Sequence, residues 1–159
     1  MSRRNKERHG QAQRKIQRKP REFIGVVRRI DSGSGFFVPD DQTAEDLFLK
    51  GRNLCGAQDR DRVRVEALGA GGGGRTSGRR EEGRVVEILE RGIHKLVGEL
   101  KRHGAFYYLL PLLYRIYETI TVDELDLRGA KEGDRVIAEI TDYNPIRAKV
   151  VEAIGPSGS

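Results

Sequence analysis

The residues of this 159-residue chain best suited to ligand chemistry are aromatic side chains on two short predicted strands. They lie in the segments GSGFFVPDD (33–41) and DLFL (46–49). Because side chains on a strand alternate between faces, Phe36 points away from Phe37, and Phe48 points away from the leucines beside it. A ring that faces outward adds little to a core, but it can stack a nucleobase. The alternative is a half-buried hairpin whose rings cover a neighbouring strand.

Short strands joined by glycine-led turns are the elements that must position these rings. Alternating apolar residues predict strands over 23–31, 46–50 and 61–68, with a further strand entered through Gly33 and Gly35. The chain has 20 glycines, no tryptophan and only 36% hydrophobic residues. This composition favours small β-rich cores over long helices, so we predict an all-β protein.

The chain repeats itself in blocks that keep the same order. LCGAQDRDRV (54–63) recurs as LRGAKEGDRV (127–136), RVVEIL recurs as KVVEAI, and FFVP recurs as YLLP. Gly25 at the start of the first unit matches Gly98 at the start of the second. Five short strands in each unit, with no long helical pattern, predict two tandem five-stranded OB-fold barrels.

The repeat also sets the predicted domain boundaries. We assign residues 22–91 to the first barrel and residues 92–155 to the second. The glycine-rich stretch 69–82 resembles an interdomain linker when taken alone. Because it lies between the fourth and fifth strands of the first unit, we predict instead a basic loop inside that barrel. A short turn at 143–146 takes its place in the second unit.

The charge of the chain is concentrated at its N-terminus. Residues 1–21 hold nine Lys or Arg and one Glu, whereas the whole chain has a net charge of +6. With Ile16 as its one large aliphatic residue, this segment is predicted to be a disordered basic tail. It would contact phosphates and make the affinity salt-dependent. The alternatives are a solubilising tail and a targeting sequence.

Several classes of function are disfavoured by the sequence. No apolar run reaches the roughly 18–20 residues of a membrane helix, so no membrane is expected. The single cysteine, Cys55, excludes an internal disulfide and indicates a reducing compartment, which we take to be the cytoplasm. The three histidines and the acidic group at 40–46 form no metal-ligand or acid–base pattern, so we expect no cofactor, no metal and no catalytic residue.

The ordered set of motifs resembles a known family. G-x-GF-x-VPDD, then DLFL, then GA-x-D-x-D-x-V-x-VE, then GRVVEIL is similar to the tandem cold-shock domains at the front of bacterial ribonuclease R and ribonuclease II. The resemblance covers about residues 22–155, in both repeats. It implies OB-fold barrels that bind single-stranded RNA. The family's catalytic domain, which holds metal with aspartates, would follow these domains, and this sequence stops at Ser159 before such a segment.

The resemblance also implies which residues bind RNA. The motif rings fall partly in one barrel and partly in the other, because Ser34 and Thr121 stand where two rings would be. We therefore expect the two barrels to act along one path. The residues assigned to base stacking are Phe36, Phe48, Phe106 and Tyr108, and those assigned to phosphates, with the tail, are Arg28, Arg29 and Arg102.

A departure from the family pattern concerns the segment Leu109–Tyr114. Two leucines, Leu112 and Leu113, stand where the family commonly has two aspartates. They either pack onto their own barrel or form a contact surface for a further domain or a protein partner.

Three functions remain open at this stage. The first is the RNA-entry module of a ribonuclease R or II type 3′→5′ exoribonuclease, and the second is a free-standing tandem cold-shock protein that binds RNA. The third is a protein assembly module. The sequence does not separate RNA from single-stranded DNA as the partner.

Overall fold

The computed structural model describes residues 21–69 and 80–156, which form two closed five-stranded β-barrels. Strands β1 to β5 build the first barrel and β6 to β10 build the second. The strands are β1 (Glu22–Asp31), β2 (Ser34–Pro39), β3 (Leu47–Lys50), β4 (Arg62–Gly69), β5 (Glu82–Glu90), β6 (Lys95–His103), β7 (Phe106–Pro111), β8 (Ile120–Val122), β9 (Asp134–Tyr143) and β10 (Ile146–Pro156).

Both barrels have the same strand order. Around the first barrel the order is β1-β2-β3-β5-β4, and around the second it is β6-β7-β8-β10-β9. In each barrel the third strand pairs in parallel with the fifth, while the other neighbours are antiparallel. The predicted all-β class with tandem five-stranded barrels is confirmed.

The sequence did not predict two short helical turns. One is the helix α1 (Gly51–Leu54), and the other is a 3-10 helix (Glu124–Asp126). Each follows the third strand of its barrel. Both are about one turn long, too short for a hydrophobic period to show in the sequence.

The matched glycines of the repeat occupy the same place in both barrels. Gly25 lies opposite Pro39 and Val63, and Gly98 lies opposite Pro111 and Val136. A Cβ added at Gly25 would lie 2.2 Å from the carbonyl oxygen of Val38, too close for any side chain. The same Cβ at Gly98 would lie 3.0 Å from the carbonyl oxygen of Leu110, so the close approach of the two strands requires glycine more strictly in the first barrel.

The two barrels have separate hydrophobic cores. In the first, Phe37, Val63 and Leu49 are fully buried, and the second is built around Leu100, Ile120 and other aliphatic residues. Each strand places one face in its core, which leaves the other face available for ligands.

Two of the sequence predictions concern residues without a described structure. The predicted tail, except Arg21, and residues 70–79 of the glycine-rich loop lie outside the described residues. The ends of β4 and β5 that flank that loop are paired, Gly69 with Glu82. Within the described ranges, no helix is long and apolar enough to cross a membrane.

The barrels meet through a contact that we call the brace. Three arginines, two within the first barrel and one directly after its last strand, each lie over a tyrosine ring of the second barrel. The distances from the guanidinium carbon to the ring centre are 4.3 to 5.4 Å. Cation–π pairs of this kind contribute about 0.5–2 kcal/mol each, depending on burial. The pairs are Arg29 with Tyr117, Arg60 with Tyr114, and Arg91 with Tyr143.

A buried carboxylate fixes the chain between the barrels. Asp61 is fully buried and accepts hydrogen bonds from Arg91 Nη1 at 2.7 Å, from the backbone N–H of Gly92 at 3.0 Å and from that of Gln58 at 2.8 Å. The segment that leaves β5 is therefore held against the first barrel before β6 begins.

Candidate nucleic-acid interface

One row of side chains crosses four strands on the outer face of the first barrel. Strand pairing places Arg28 opposite Phe36, Phe36 opposite Phe48, and Phe48 opposite Glu82. Residues directly opposite each other across strands lie on the same face and touch. We call this set row 1; it is a cation followed by two half-buried rings and a carboxylate.

The rings of row 1 form a cleft of suitable size for a base. Phe36 and Phe48 meet edge to face with ring centres 5.5 Å apart, and the cleft around them has a volume of about 310 Å³. Arg80 lies over the Phe36 ring at 5.4 Å, and Lys50 pairs with Glu82 at 3.4 Å. A ring face beneath a guanidinium, with a second ring edge-on beside it, is an arrangement that can hold a stacked base.

The second barrel has an equivalent row with a different composition. Lys101 lies opposite Tyr108, Tyr108 opposite Thr121, and Thr121 opposite Arg147. We call this set row 2. It has one ring where row 1 has two, because a threonine replaces the second ring, and it has a cation at each end.

Phe106 extends the aromatic surface of row 2. It is two residues before Tyr108 on β7, so the two side chains share a face, as predicted from the alternation. Their ring centres are 6.0 Å apart with an interplanar angle of 28°, and the Phe106 ring is 47% exposed. Among the four predicted rings, this one is the most accessible to a base.

The three arginines predicted to contact phosphates lie in three different environments. Arg28 is in row 1 with an exposed side chain, and its Nε lies 4.0 Å from Asp59 Oδ1. Arg102 is exposed but lies opposite Tyr107, on the face away from row 2, where its Nε donates to the carbonyl oxygen of Gly104 at 2.6 Å. Its guanidinium lies 5.6 Å from the Tyr107 ring.

Arg29 is a structural residue and is not available for a phosphate. The whole residue is 1% exposed, and its guanidinium donates to the carbonyl oxygens of Ala57, Asp31 and Ser32. It also donates to Glu118 Oε2 of the second barrel at 2.9 Å. The expectation that Arg29 holds RNA is therefore corrected: its guanidinium is buried and donates to carbonyl oxygens of its own barrel and to Glu118 of the second.

The charge of Glu118 is maintained by that contact. Burial acts to raise the pKa of Glu118, but hydrogen bonds from Arg29 and Gln58 outweigh it, so the pKa lies below its ordinary value of 4.5. Tyr117 adds a neighbouring link, because its hydroxyl donates to the carbonyl oxygen of Ile30 at 2.7 Å.

Sequence reasoning missed the cations Lys101, Arg147 and Arg80, which flank the rings. The repeat contained the signal for the first of them. Counted from the matched glycines, Gly25 and Gly98, the residue equivalent to Arg28 is Lys101, and the residue equivalent to Arg29 is Arg102. Arg147 and Arg80 have no such signal, because their positions depend on the pairing of distant strands.

The leucines of the segment Leu109–Tyr114 are exposed to different degrees. Leu109 is in the core, whereas Leu113 is 76% exposed, and Leu110 and Leu112 are 48% and 40% exposed. For Leu112 and Leu113, this exposure favours the alternative in which they do not pack onto their own barrel.

The described residues contain no metal-binding cluster. Within 21–69 and 80–156, no three His, Cys, Asp or Glu side chains lie close enough together to hold a metal ion. The acidic residues that stood out in the sequence have local partners instead. Asp41 accepts from the hydroxyl and backbone N–H of Thr43, which lowers its pKa, and Asp40 pairs with Arg62.

Comparison with known proteins agrees with this architecture. A family model for the ribonuclease B OB domain matches residues 25–88, and one for the cold shock domain matches residues 108–159. Ribonuclease R of Thermotoga maritima is 34% identical over 137 residues, which cover 83% of this chain. The chain spans 18% of the length of that relative.

Two solved structures share the fold. Mycoplasma genitalium RNase R in complex with ribose methylated single-stranded RNA superposes with a TM-score of 0.69 and 20% identity, covering 85% of this chain and 22% of that one. Yeast Ssd1, a pseudonuclease, superposes with a TM-score of 0.70 and 14% identity, covering 91% of this chain and 24% of that one.

Two closed barrels of this strand order, each with aromatic side chains on its outer face, define a tandem OB-fold protein. The motif order and the matched models then give the family. The chain belongs to the tandem cold-shock (OB-fold) domains of the ribonuclease R and ribonuclease II family.

Proposed function

We propose that this chain binds single-stranded RNA as the entry module of a ribonuclease R or II type 3′→5′ exoribonuclease. The observation that supports this most is the pair of equivalent rows, each with at least one ring beside a cation on the outer face of a barrel. The hydrolytic step would belong to a catalytic domain outside these residues, and we place the protein in the cytoplasm.

The proposed roles follow from the chemistry of the side chains. Rings accept bases of any sequence because every base has a π-face, whereas cations contact phosphates and set the path of the strand. We assign stacking to the four predicted rings, Phe36, Phe48, Phe106 and Tyr108. We assign phosphate contacts to Arg28, Lys101 and Arg147, and the N-terminal basic residues would add a further salt-dependent attraction.

The test is fluorescence anisotropy with a labelled single-stranded RNA over a series of salt concentrations. The variants are Phe36→Ala/Phe48→Ala, Phe106→Ala/Tyr108→Ala and a deletion of residues 1–20. The deletion stops before Arg21 because the carbonyl oxygen of Arg21 accepts a hydrogen bond from Ala67. A control is Leu125→Ala, which removes an apolar side chain that is 92% exposed and belongs to neither row.

Each ring pair should lower the affinity by about 1–3 kcal/mol per base that is no longer stacked, with little change in the salt slope. The deletion should instead flatten the salt slope by about 0.7 per lost phosphate contact. The control should bind like the wild type. Equal affinity of the ring variants and the wild type would refute the proposal, and a parallel titration with single-stranded DNA decides between the two nucleic acids.

A second candidate function is protein assembly through the segment Leu109–Tyr114. The exposure of Leu110, Leu112 and Leu113 favours it, since contiguous apolar surface of this kind marks contact sites. The partner would be another domain of the same protein or another protein. Sedimentation of the wild type and of Leu113→Ser over a concentration series tests self-association: concentration-dependent oligomers that the variant loses, together with negligible RNA affinity, would establish assembly as the function.

A further inference from the structure

A cleft between the two barrels contains an unpaired hydrogen-bond acceptor. The cleft has a volume of about 550 Å³, within the range of small-ligand pockets. Gln58 of the first barrel lines it and is 6% exposed, and its side-chain oxygen Oε1 has no hydrogen-bond partner among the described residues. Buried acceptors without a donor are rare, because the lost hydration is not replaced.

The orientation of the Gln58 amide follows from its neighbour. Gln58 and Glu118 both line the cleft, and a hydrogen bond from Gln58 is among the causes that lower the pKa of Glu118, so this carboxylate is ionised at neutral pH and can only accept. The amide nitrogen must therefore face Glu118. The oxygen is left for a donor that comes from the cleft.

The charges around the cleft limit what can enter it. Among the described residues that line the cleft, the charged side chains are Arg29 and Glu118, and these pair with each other at 2.9 Å. No free cation is left there for a phosphate, and Glu118 would repel one. A neutral group that brings an N–H donor fits these conditions.

The cleft is continuous with the proposed RNA path. Phe106, the most exposed of the four rings, and Thr121 of row 2 both line it. A strand that stacks a base on Phe106 would bring an adjacent base to the mouth of the cleft. The bases differ at the edge they would present: cytosine, adenine and guanine carry an exocyclic amino group, whereas uracil carries a carbonyl oxygen at the position of the cytosine amine.

We propose that this cleft binds one nucleobase with an exocyclic amino group, which donates to Gln58 Oε1. This inference rests on the proposed RNA binding and adds a base preference to it at one position of the strand. Uracil held in the same pose as cytosine would place its O4 carbonyl oxygen against the amide oxygen, so it could pair only by shifting to present its ring N–H.

The test uses a series of oligouridines of fixed length, each with a single cytidine at a different position. The affinity of the wild type is measured for each RNA. Cytidine and uridine are both pyrimidines, so the comparison limits differences in stacking. One position should bind about two- to tenfold more tightly than all-uridine RNA, the gain of one hydrogen bond. N4,N4-dimethylcytidine at the same position lacks the donor and should lose the gain, without any change to the protein.

Gln58→Met should abolish the cytidine preference and keep the affinity for oligouridine. The matched control is Lys131→Met. Lys131 occupies the same turn of the second barrel, where its backbone N–H donates to Asp134 at 2.9 Å just as that of Gln58 donates to Asp61 at 2.8 Å, but its side chain is exposed. This control should keep the preference.

Equal affinities at every cytidine position, with intact binding of oligouridine, would overturn the cleft proposal and leave RNA binding in place. The Gln58 oxygen would then be hydrated by water only. A preference that survives Gln58→Met or dimethylation would also overturn it. Absence of binding to every RNA would refute the proposed function, and the cleft proposal with it.

Discussion

Two adjacent residues on β2 have different roles: Phe37 stabilises the fold, and Phe36 belongs to the proposed RNA-binding surface. Phe37 is fully buried in the core of the first barrel, while Phe36 lies in row 1. Phe37→Ala should lower the free energy of unfolding by about 3–5 kcal/mol, because it leaves a cavity in a packed core. Phe36→Ala should cost clearly less stability and should instead weaken RNA binding by about 1–3 kcal/mol. Urea denaturation and anisotropy on both variants measure the two effects.

The pair Phe36 and Phe37 serves as its own control, since the side chain removed is the same and the positions are neighbours. A loss of RNA affinity in the folded Phe37 variant equal to that of the Phe36 variant would contradict the assignment of row 1. Equal losses of stability would show that Phe36 is also a core residue.

The rings could be placed from the sequence, but one of the arginines could not. Alternation along a strand is local, so it gives the face of Phe36, Phe48 and Phe106 from their immediate neighbours. The position of Arg29 depends on Glu118, which is 89 residues away in the chain. No local pattern shows whether an arginine at the end of a strand faces water or another domain.

At the scale of elements, the sequence repeat was sufficient to predict most of the fold. It matched Gly25 with Gly98, and the strand pairing places both at the same register in their barrels. Strand count and order then follow from the OB fold that the motifs resemble. The brace could not be predicted from the repeat, because its residues lie where the two repeats differ.

The repeat also supplies a controlled test of the brace. Arg29 and Arg102 occupy equivalent positions at the ends of β1 and β6, and the Nε of each donates to the carbonyl oxygen two residues on. Only Arg29 reaches the other barrel. Arg29→Ala should lower stability by at least about 2 kcal/mol through lost charged hydrogen bonds. Arg102→Ala, at an exposed site, should stay within about 0.5 kcal/mol of the wild type.

Two spectroscopic probes can show whether the brace couples the barrels. All five tyrosines lie between residues 107 and 143, in the second barrel, and the chain has no tryptophan. Tyrosine fluorescence therefore reports on that barrel, while far-ultraviolet circular dichroism reports on both. The two urea transitions should coincide in the wild type and in Arg102→Ala and should separate in Arg29→Ala. Coincident transitions in Arg29→Ala would show that the brace does not couple the barrels.

At the scale of the whole molecule, the contact between the barrels is polar, so it should respond to pH. The pKa of Glu118 is lowered in the folded protein from its ordinary value of 4.5. A group whose folded pKa is depressed stabilises the fold above its unfolded pKa, and this contribution is lost as the pH falls through the folded pKa. Acid should therefore weaken the link from Glu118 to Arg29.

The same two probes measure the effect of pH. In the wild type the transitions should coincide at neutral pH and separate as the pH falls through the lowered pKa of Glu118, below its ordinary 4.5, because a protonated Glu118 no longer attracts the Arg29 guanidinium. Asp31 also titrates in this range, since hydrogen bonds from Gly33 and Ser34 lower its pKa, and it lies near Arg29. Glu118→Gln distinguishes the two carboxylates: its transitions should be separate already at neutral pH and should change little further in acid. An acid-induced separation of the same size in this variant would assign the pH dependence to a carboxylate other than Glu118, such as Asp31.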